Sequence, residues 1–125
     1  MSHFTKIRTQ LKDIQALRSA CKELGLPLLQ DTSARGWEGN TVRGDYVIRL
    51  KGDFDIALQR QPDGSYSLEA DFTMLHPSAE VGPKGGKLLQ LYAIHKSIKE
   101  ARKRGHLLKR TQQQNGAIKL VIAAA

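Results

Sequence analysis

The sequence predicts an α+β fold, a single domain in which a largely antiparallel sheet carries two helices packed on one face. Three observations lead there. Two stretches, Thr9 to Leu24 and Lys87 to Arg104, repeat apolar residues at three- and four-residue steps. The stretches between and after them alternate apolar and polar residues with the period of a half-buried strand. Short turns rich in glycine and proline join those runs, and only antiparallel neighbours can be linked so tightly. A chain of 125 residues fits one domain and can bury a core without metals or disulfides.

The elements follow in order. Phe4 to Arg8, with Phe4, Thr5 and Ile7, suits a short strand. In the helix predicted from Thr9 to Leu24, Leu11, Ile14, Leu17, Cys21 and Leu24 share one face. Gly25 supplies a left-handed C-terminal cap and Pro27 stops the helix from resuming. Leu26 to Asp31 reads as a strand that Pro27 confines to an edge or a strand start. Ser33 to Gly44, with Gly36, Gly39 and Gly44, reads as a turn-rich connection. Tyr46, Ile48 and Leu50 mark one strand and Phe54, Ile56 and Leu58 the next. Pro62-Asp63-Gly64 then turns the chain into Tyr66, Leu68, Ala70 and Phe72. His76 to Gly86 holds two prolines and three glycines and is expected to be a loop.

The second helix begins near Lys87, with Leu88, Leu91, Ile94 or His95, Ile98 and Ala101 as its stripe, and ends at Gly105. Leu108, Arg110 and Gln112 lead to Asn115-Gly116, a two-residue turn signal, and to Ile118, Leu120 and Ile122. Both helices thus end in glycine followed by an apolar stretch, a faint helix-then-hairpin duplication. Ile14, Leu17, Leu24, Ile56, Leu68 and Ile98 should share one core, because each element offers a single apolar stripe.

Composition narrows the function. The longest apolar run, Leu120 to Ala125, is far too short to cross a membrane, so no membrane association is expected. Met1 to Lys6 lacks the apolar block of a secretory signal. Cys21 is the only cysteine, which excludes an internal disulfide and suits a reducing, cytoplasmic compartment. The net charge of +8 is unevenly spread. The window Lys96 to Arg110 holds seven cations (Lys96, Lys99, Arg102, Lys103, Arg104, Lys109, Arg110) against Glu100. An electropositive face follows.

The opening Met1-Ser2-His3-Phe4-Thr5-Lys6-Ile7 and the amphipathic helix ending in Leu24-Gly25 resemble a family of conserved hypothetical proteins of cyanobacteria and algal plastid genomes. The resemblance continues through Tyr92-Ala93, the charged helix Lys96 to Arg104, and Asn115-Gly116 before Ile118-Lys119-Leu120. It implies a small soluble protein of the cyanobacterial cytosol or plastid stroma. It brings no catalytic or ligand-binding residue with it.

Candidate chemistry is sparse. His3, Cys21, His76, His95 and His106 lack metal-ligand spacing, so neither a metal nor a cofactor is expected. Cys21 lies on the apolar helix face, where a thiol behaves as a small hydrophobe. Asp55 and Asp71 alternate with apolar neighbours and should lie on a solvated sheet face turned from the helices. Gly82-Pro83-Lys84-Gly85-Gly86-Lys87 is basic and glycine-rich before a helix, but lacks the spacing of a phosphate-binding loop and reads as a plain connection.

The strongest lead is the basic helix face. Lys96, Lys99 and Lys103 lie at steps of three and four residues, and Arg110 could extend them from the next strand. As exposed positions their charge reversal should leave folding nearly intact. Trp37, in a glycine-rich loop, is the aromatic candidate contact, whereas Tyr92 belongs to the core. This pattern suits a non-catalytic accessory or interaction protein binding an acidic partner. The alternative is a nucleic-acid binder of low specificity, disfavoured by an aromatic content of 6% and the lack of a base-stacking motif. A small enzyme with a site assembled across the fold ranks third, since no nucleophile–base pair is visible.

Overall fold

In the computed structural model, which describes residues 4–72 and 75–123, the chain runs β1 (Thr5–Arg8), α1 (Ile14–Leu24), β2 (Leu28–Arg35), β3 (Thr41–Ile48), β4 (Ile56–Arg60) and β5 (Tyr66–Ala70). Then follow α2 (Leu75–Val81), α3 (Gly86–Lys103), β6 (Leu107–Gln112) and β7 (Ile118–Ala123). The first five strands form an antiparallel sheet in the order β1-β5-β4-β3-β2, and β6 and β7 form a separate two-stranded sheet. Met1 to His3 and Ala124-Ala125, including the candidate ligand His3 and the start of the family resemblance, lie outside the described residues.

The expected core is present. Leu17, Ile56 and Leu68 are fully buried, and Ile14, Leu24 and Ile98 pack against them as partly buried neighbours. They join Ile48, Leu58, Leu88, Leu91 and Ile94, so α1 and α3 cover the same face of the sheet. A residue such as Leu58 that goes from water to full burial contributes on the order of 2 kcal/mol before conformational costs.

The start of α1 differs from the periodicity. Leu11 is buried as the apolar stripe demands, but the helix begins only after Asp13. Thr9 donates its hydroxyl hydrogen to the Tyr66 carbonyl at 2.6 Å, and the Leu11 carbonyl accepts the Tyr66 N–H at 2.8 Å. Those bonds hold residues 9–12 against β5 and withhold them from the helix. Asp13 then caps α1, its Oδ1 accepting the N–H groups of Gln15 at 3.0 Å and Ala16 at 3.2 Å.

Both long helices stop in the same way. Gly25 (φ 74°) donates to Lys22 and Leu26 to Cys21; Gly105 (φ 77°) donates to Arg102 and His106 to Ala101. These are paired bonds around a left-handed glycine, the motif that satisfies the last helical carbonyls. The turns of the β4–β5 and β6–β7 hairpins are also alike. Gln61 and Ser65 close Pro62-Asp63-Gly64, and Gln113 and Ala117 close Gln114-Asn115-Gly116, each with a 2.7 Å bond. Asn115-Gly116 is therefore part of a three-residue connection rather than the predicted two-residue turn. Asn115 Oδ1 accepts the Ala117 N–H at 3.0 Å and places Gly116 at φ 86°.

Two stretches expected to be loops are ordered. Ser33 to Gly44 is mostly strand: β2 continues to Arg35 and β3 begins at Thr41, so only Gly36 to Asn40 turn. Polar residues in that stretch hid its strand character, because its far half does not alternate against the helix-covered core. Instead it folds back over the second face of the sheet. Ala34, Val47 and Ala57, all fully buried, form a small second cluster there with Val42. Asp31, at φ 52°, and Gly44 sit where the hairpin bends. A Cβ at Gly44 would lie 2.5 Å from the Tyr46 carbonyl oxygen and 3.0 Å from the Ala57 Cβ, so only glycine fits.

His76 to Gly86 contains α2, which begins at Leu75, and a 3-10 turn at Pro83–Gly85. Pro77 falls in the first turn of α2, where no helical bond from its nitrogen is required. The Glu80 carboxylate accepts the N–H groups of Lys51 at 2.6 Å and Gly52 at 3.1 Å, tying α2 to the loop after β3. Seven residues are too few to show a helical period. Gly85 is buried, and a Cβ there would lie 3.0 Å from Leu68, so the joint before α3 is packed rather than loose.

Asp55 and Asp71 also depart from expectation, being 0% and 1% exposed. Asp55 does point away from the helices, as its alternation requires. The folded-back hairpin covers that face, and a carboxylate under it must be paired.

A candidate partner-binding groove between the two long helices

The site begins with Asp13. While its Oδ1 caps α1, its Oδ2 accepts from Lys99 Nζ at 2.8 Å and from Lys96 Nζ at 3.1 Å. The Tyr92 hydroxyl, from α3, accepts the N–H groups of Lys12 at 3.1 Å and Asp13 at 3.0 Å. Burial opposes ionisation of Asp13, but the bonds from Lys99, the Ala16 N–H and Lys96 outweigh it and hold the carboxyl far below the usual carboxylate range. Lys99 also reaches Gln15 Oε1 at 2.9 Å.

At the other end of α1, Glu23 receives Arg110 through two bonds, 2.7 and 3.1 Å, and His95 Nε2 at 2.9 Å. The paired bonds from Arg110 are the main cause that holds the Glu23 carboxyl down at about 2; burial works against them and His95 adds to them. One carboxylate of α1 thus anchors both α3 and β6.

The four basic residues singled out in the sequence therefore divide. Lys96, Lys99 and Arg110 are ion-paired to α1, and Lys96 also meets Glu100 at 3.0 Å. Lys103 is the most exposed of the four, with Glu100 at 3.8 Å. The expectation that reversing Lys96, Lys99 and Lys103 would leave folding nearly intact took all three as exposed positions, and Lys96 and Lys99 are instead paired with Asp13. Both lysines hold α3 to the capping residue of α1. Trp37 is 41% exposed and stacks at a tilt on Phe54, with ring centroids 6.4 Å apart. It belongs to the hairpin on the other face of the sheet, so the structure does not bring it together with the basic helix.

A groove of about 460 Å3 runs between the helices, lined by Gln15, Ala16 and Ser19 of α1 and by His95, Ile98, Lys99, Arg102 and Lys103 of α3. Ala16 and Ile98 form its apolar part and the cations its rim. Among the described residues no carboxylate lines it. Arg102, Gln15 and Ser19 were missed from sequence. Arg102 follows Lys99 by three residues and precedes Lys103 by one, and only the position of α1 decides which face of α3 opens on the groove.

The groove offers little for catalysis. Ser19 donates to the Gln15 carbonyl of its own helix at 3.1 Å, and His95 is held by Glu23. Cys21 is buried, and burial pushes its thiol up to about 12, which favours the neutral thiol over the thiolate. Among the described residues no three His, Cys, Asp or Glu side chains converge as a metal site, and no helix is long and apolar enough to cross a membrane.

Comparison with known proteins sets this geometry in a family. The family model described as "Protein of unknown function (DUF1257)" matches residues 20–121. A red-algal protein of Pyropia yezoensis, "Uncharacterized protein ycf35", is 32% identical over 124 residues, covering 98% of this chain and 96% of the relative. A cryptophyte protein of the same name from Guillardia theta is 31% identical over the same coverage. Both relatives come from plastid genomes, in agreement with the resemblance drawn from the sequence. No solved structure matches.

Proposed function

The chain belongs to the DUF1257 family, and we propose that it is a non-catalytic interaction protein that receives an acidic partner segment in the groove between α1 and α3. One observation carries this: Lys99, Arg102, Lys103 and His95 line the groove, and among the described residues no carboxylate does. Lys99 is already engaged with Asp13 and Gln15, so Arg102 and Lys103 supply the charge that meets the partner, over the apolar floor of Ala16 and Ile98. Lys96 and Arg110 act one step back, holding the groove's two walls in place. The setting is a cytoplasm or plastid stroma, the compartment in which plastid-encoded relatives would work.

The test is fluorescence anisotropy with a labelled acidic amphipathic helical peptide and, separately, a labelled single-stranded oligoribonucleotide. The peptide should bind, and Arg102→Glu with Lys103→Glu should weaken it by about tenfold or more while the unfolding midpoint stays put. Equal binding by the double variant would remove the groove from consideration. Tighter binding of the oligoribonucleotide, with a steep linear fall of log affinity against log salt, would establish the nucleic-acid alternative instead.

A further inference from the structure

The second surface that calls for a partner is the β6–β7 hairpin. It stands apart from the main sheet, and among the described residues neither of its outer edges pairs with a further strand. An isolated two-stranded sheet is marginal in water, and this one is held from one side only. Ile118 and Leu120 pack against the core and Arg110 is bonded to Glu23. The register places Arg110 opposite Leu120 and Leu108 opposite Ile122 on that inner side.

By alternation, Leu107, Lys109 and Thr111 of β6 and Lys119 and Val121 of β7 lie on the outer side, with Lys109 opposite Val121 and Thr111 opposite Lys119. Leu107 is 53% exposed, Val121 42% and Ile122 67%, although Ile122 belongs to the inner row. These three are most of the large apolar side chains left open among the described residues, the others being Leu29 and Trp37. The charge beside them has one sign. After Glu100 the sequence contains no acidic residue, while Arg102, Lys103, Arg104, Lys109, Arg110 and Lys119 are all basic.

That combination selects an occupant. Exposed edge lysines discourage a like-charged strand, so a second copy of this hairpin is repelled at the edge. An extended segment that alternates acidic and apolar residues meets the opposite condition. Added along β7, its backbone completes the unpaired ladder, its carboxylates on the outer side meet Lys119 and, across the hairpin, Lys109, and its apolar side chains on the inner side cover Ile122. We propose that an open edge of the β6–β7 hairpin binds an extended acidic segment of another protein by strand addition. This surface is distinct from the groove and does not depend on it.

The experiment uses the full chain and two synthetic peptides of alternating valine and glutamate, one unmodified and one N-methylated at every second residue to block pairing. Backbone amide NMR shifts and isothermal titration report binding. The unmodified peptide should bind and shift the amides of residues 107–123, the N-methylated one should bind at least about tenfold more weakly, and Lys109→Glu with Lys119→Glu should abolish both effects. The groove variant Arg102→Glu/Lys103→Glu should bind the unmodified peptide within about threefold of wild type, which separates failure here from failure of the groove.

Equal binding of both peptides, no binding up to about 1 mM, or self-association through the hairpin seen by sedimentation would overturn the proposal. Binding to phosphatidylserine vesicles in place of the peptide would assign the same surface to an anionic membrane and would overturn it equally.

Discussion

The buried carboxylate of Asp55 grips Arg35 from three directions. Its Oδ2 accepts the Arg35 backbone N–H and Nε, both at 2.9 Å, and its Oδ1 accepts the terminal guanidinium nitrogen at 2.8 Å. The Leu50 N–H completes the set at 3.2 Å. The Asp55 N–H donates in turn to the Arg35 carbonyl at 3.0 Å. Burial would raise the Asp55 carboxyl, but these bonds and nearby Arg49 outweigh it and keep the group ionised below its ordinary range. The pair fastens the tip of the β2–β3 hairpin to the start of β4.

Asp55→Asn keeps the shape and removes the charge. Because the carboxylate is wholly buried while the Arg35 side chain is partly exposed, the variant should lose about 2–3 kcal/mol in urea unfolding. Faster hydrogen exchange should appear first in residues 32–43. A loss below about 0.5 kcal/mol would mean that the hairpin is held by its apolar cluster alone.

Gly44→Ala tests the fold-back from the other side. The new methyl group would strike the Tyr46 carbonyl oxygen and the Ala57 Cβ, backbone and core atoms that cannot swing away. A cost of about 1–3 kcal/mol is expected. Gly36→Ala meets the Phe4 ring, a side chain, with the nearest backbone atom, the Asn40 carbonyl oxygen, at 3.2 Å, and should cost less.

Lys99→Glu and Arg102→Glu differ by three positions and should differ in kind. The first places a second carboxylate beside Asp13, whose side chain is only 13% exposed, and should destabilise the chain by about 1–2 kcal/mol. The second should stay within about 0.5 kcal/mol of wild type and act on partner binding instead. Thermal or urea unfolding of both proteins decides the matter.

Stability should fall on acidification. Glu23 titrates near 4.5 in the unfolded chain and at about 2 when folded, so its contribution is complete above about pH 5 and is lost as pH drops toward 2. Asp13 and Asp55, also depressed, act in the same sense at the acid end. Glu23→Gln should flatten part of this slope, and the β6 amides of the wild type should show lower protection factors, referenced to the intrinsic exchange rate at each pH, at pH 3 than at pH 6. A pH-independent midpoint between 3 and 6 would show that the Arg110 and His95 contacts carry no stability.

Local chemistry sufficed for much of this molecule. Leu11, Leu17, Leu68, Leu88 and Leu91 announce their burial by spacing, Gly25 and Gly105 announce the helix ends, and Pro62-Asp63-Gly64 announces its turn. Those features depend on neighbours a few residues away, which the sequence displays directly. It also displayed the charge of residues 96–110 and the family resemblance.

Tertiary structure alone decided the rest, because it depends on which distant residues meet. Asp13 lies more than eighty residues from Lys96 and Lys99 along the chain, so nothing in the pattern distinguishes a lysine that holds two helices together from one facing water. The same holds for Glu23 with Arg110, and for Asp55, whose alternating position was legible while the hairpin that covers it was not. Sequence periodicity tells which side of an element is apolar; long-range packing determines which of its charges are already paired and which remain for a partner.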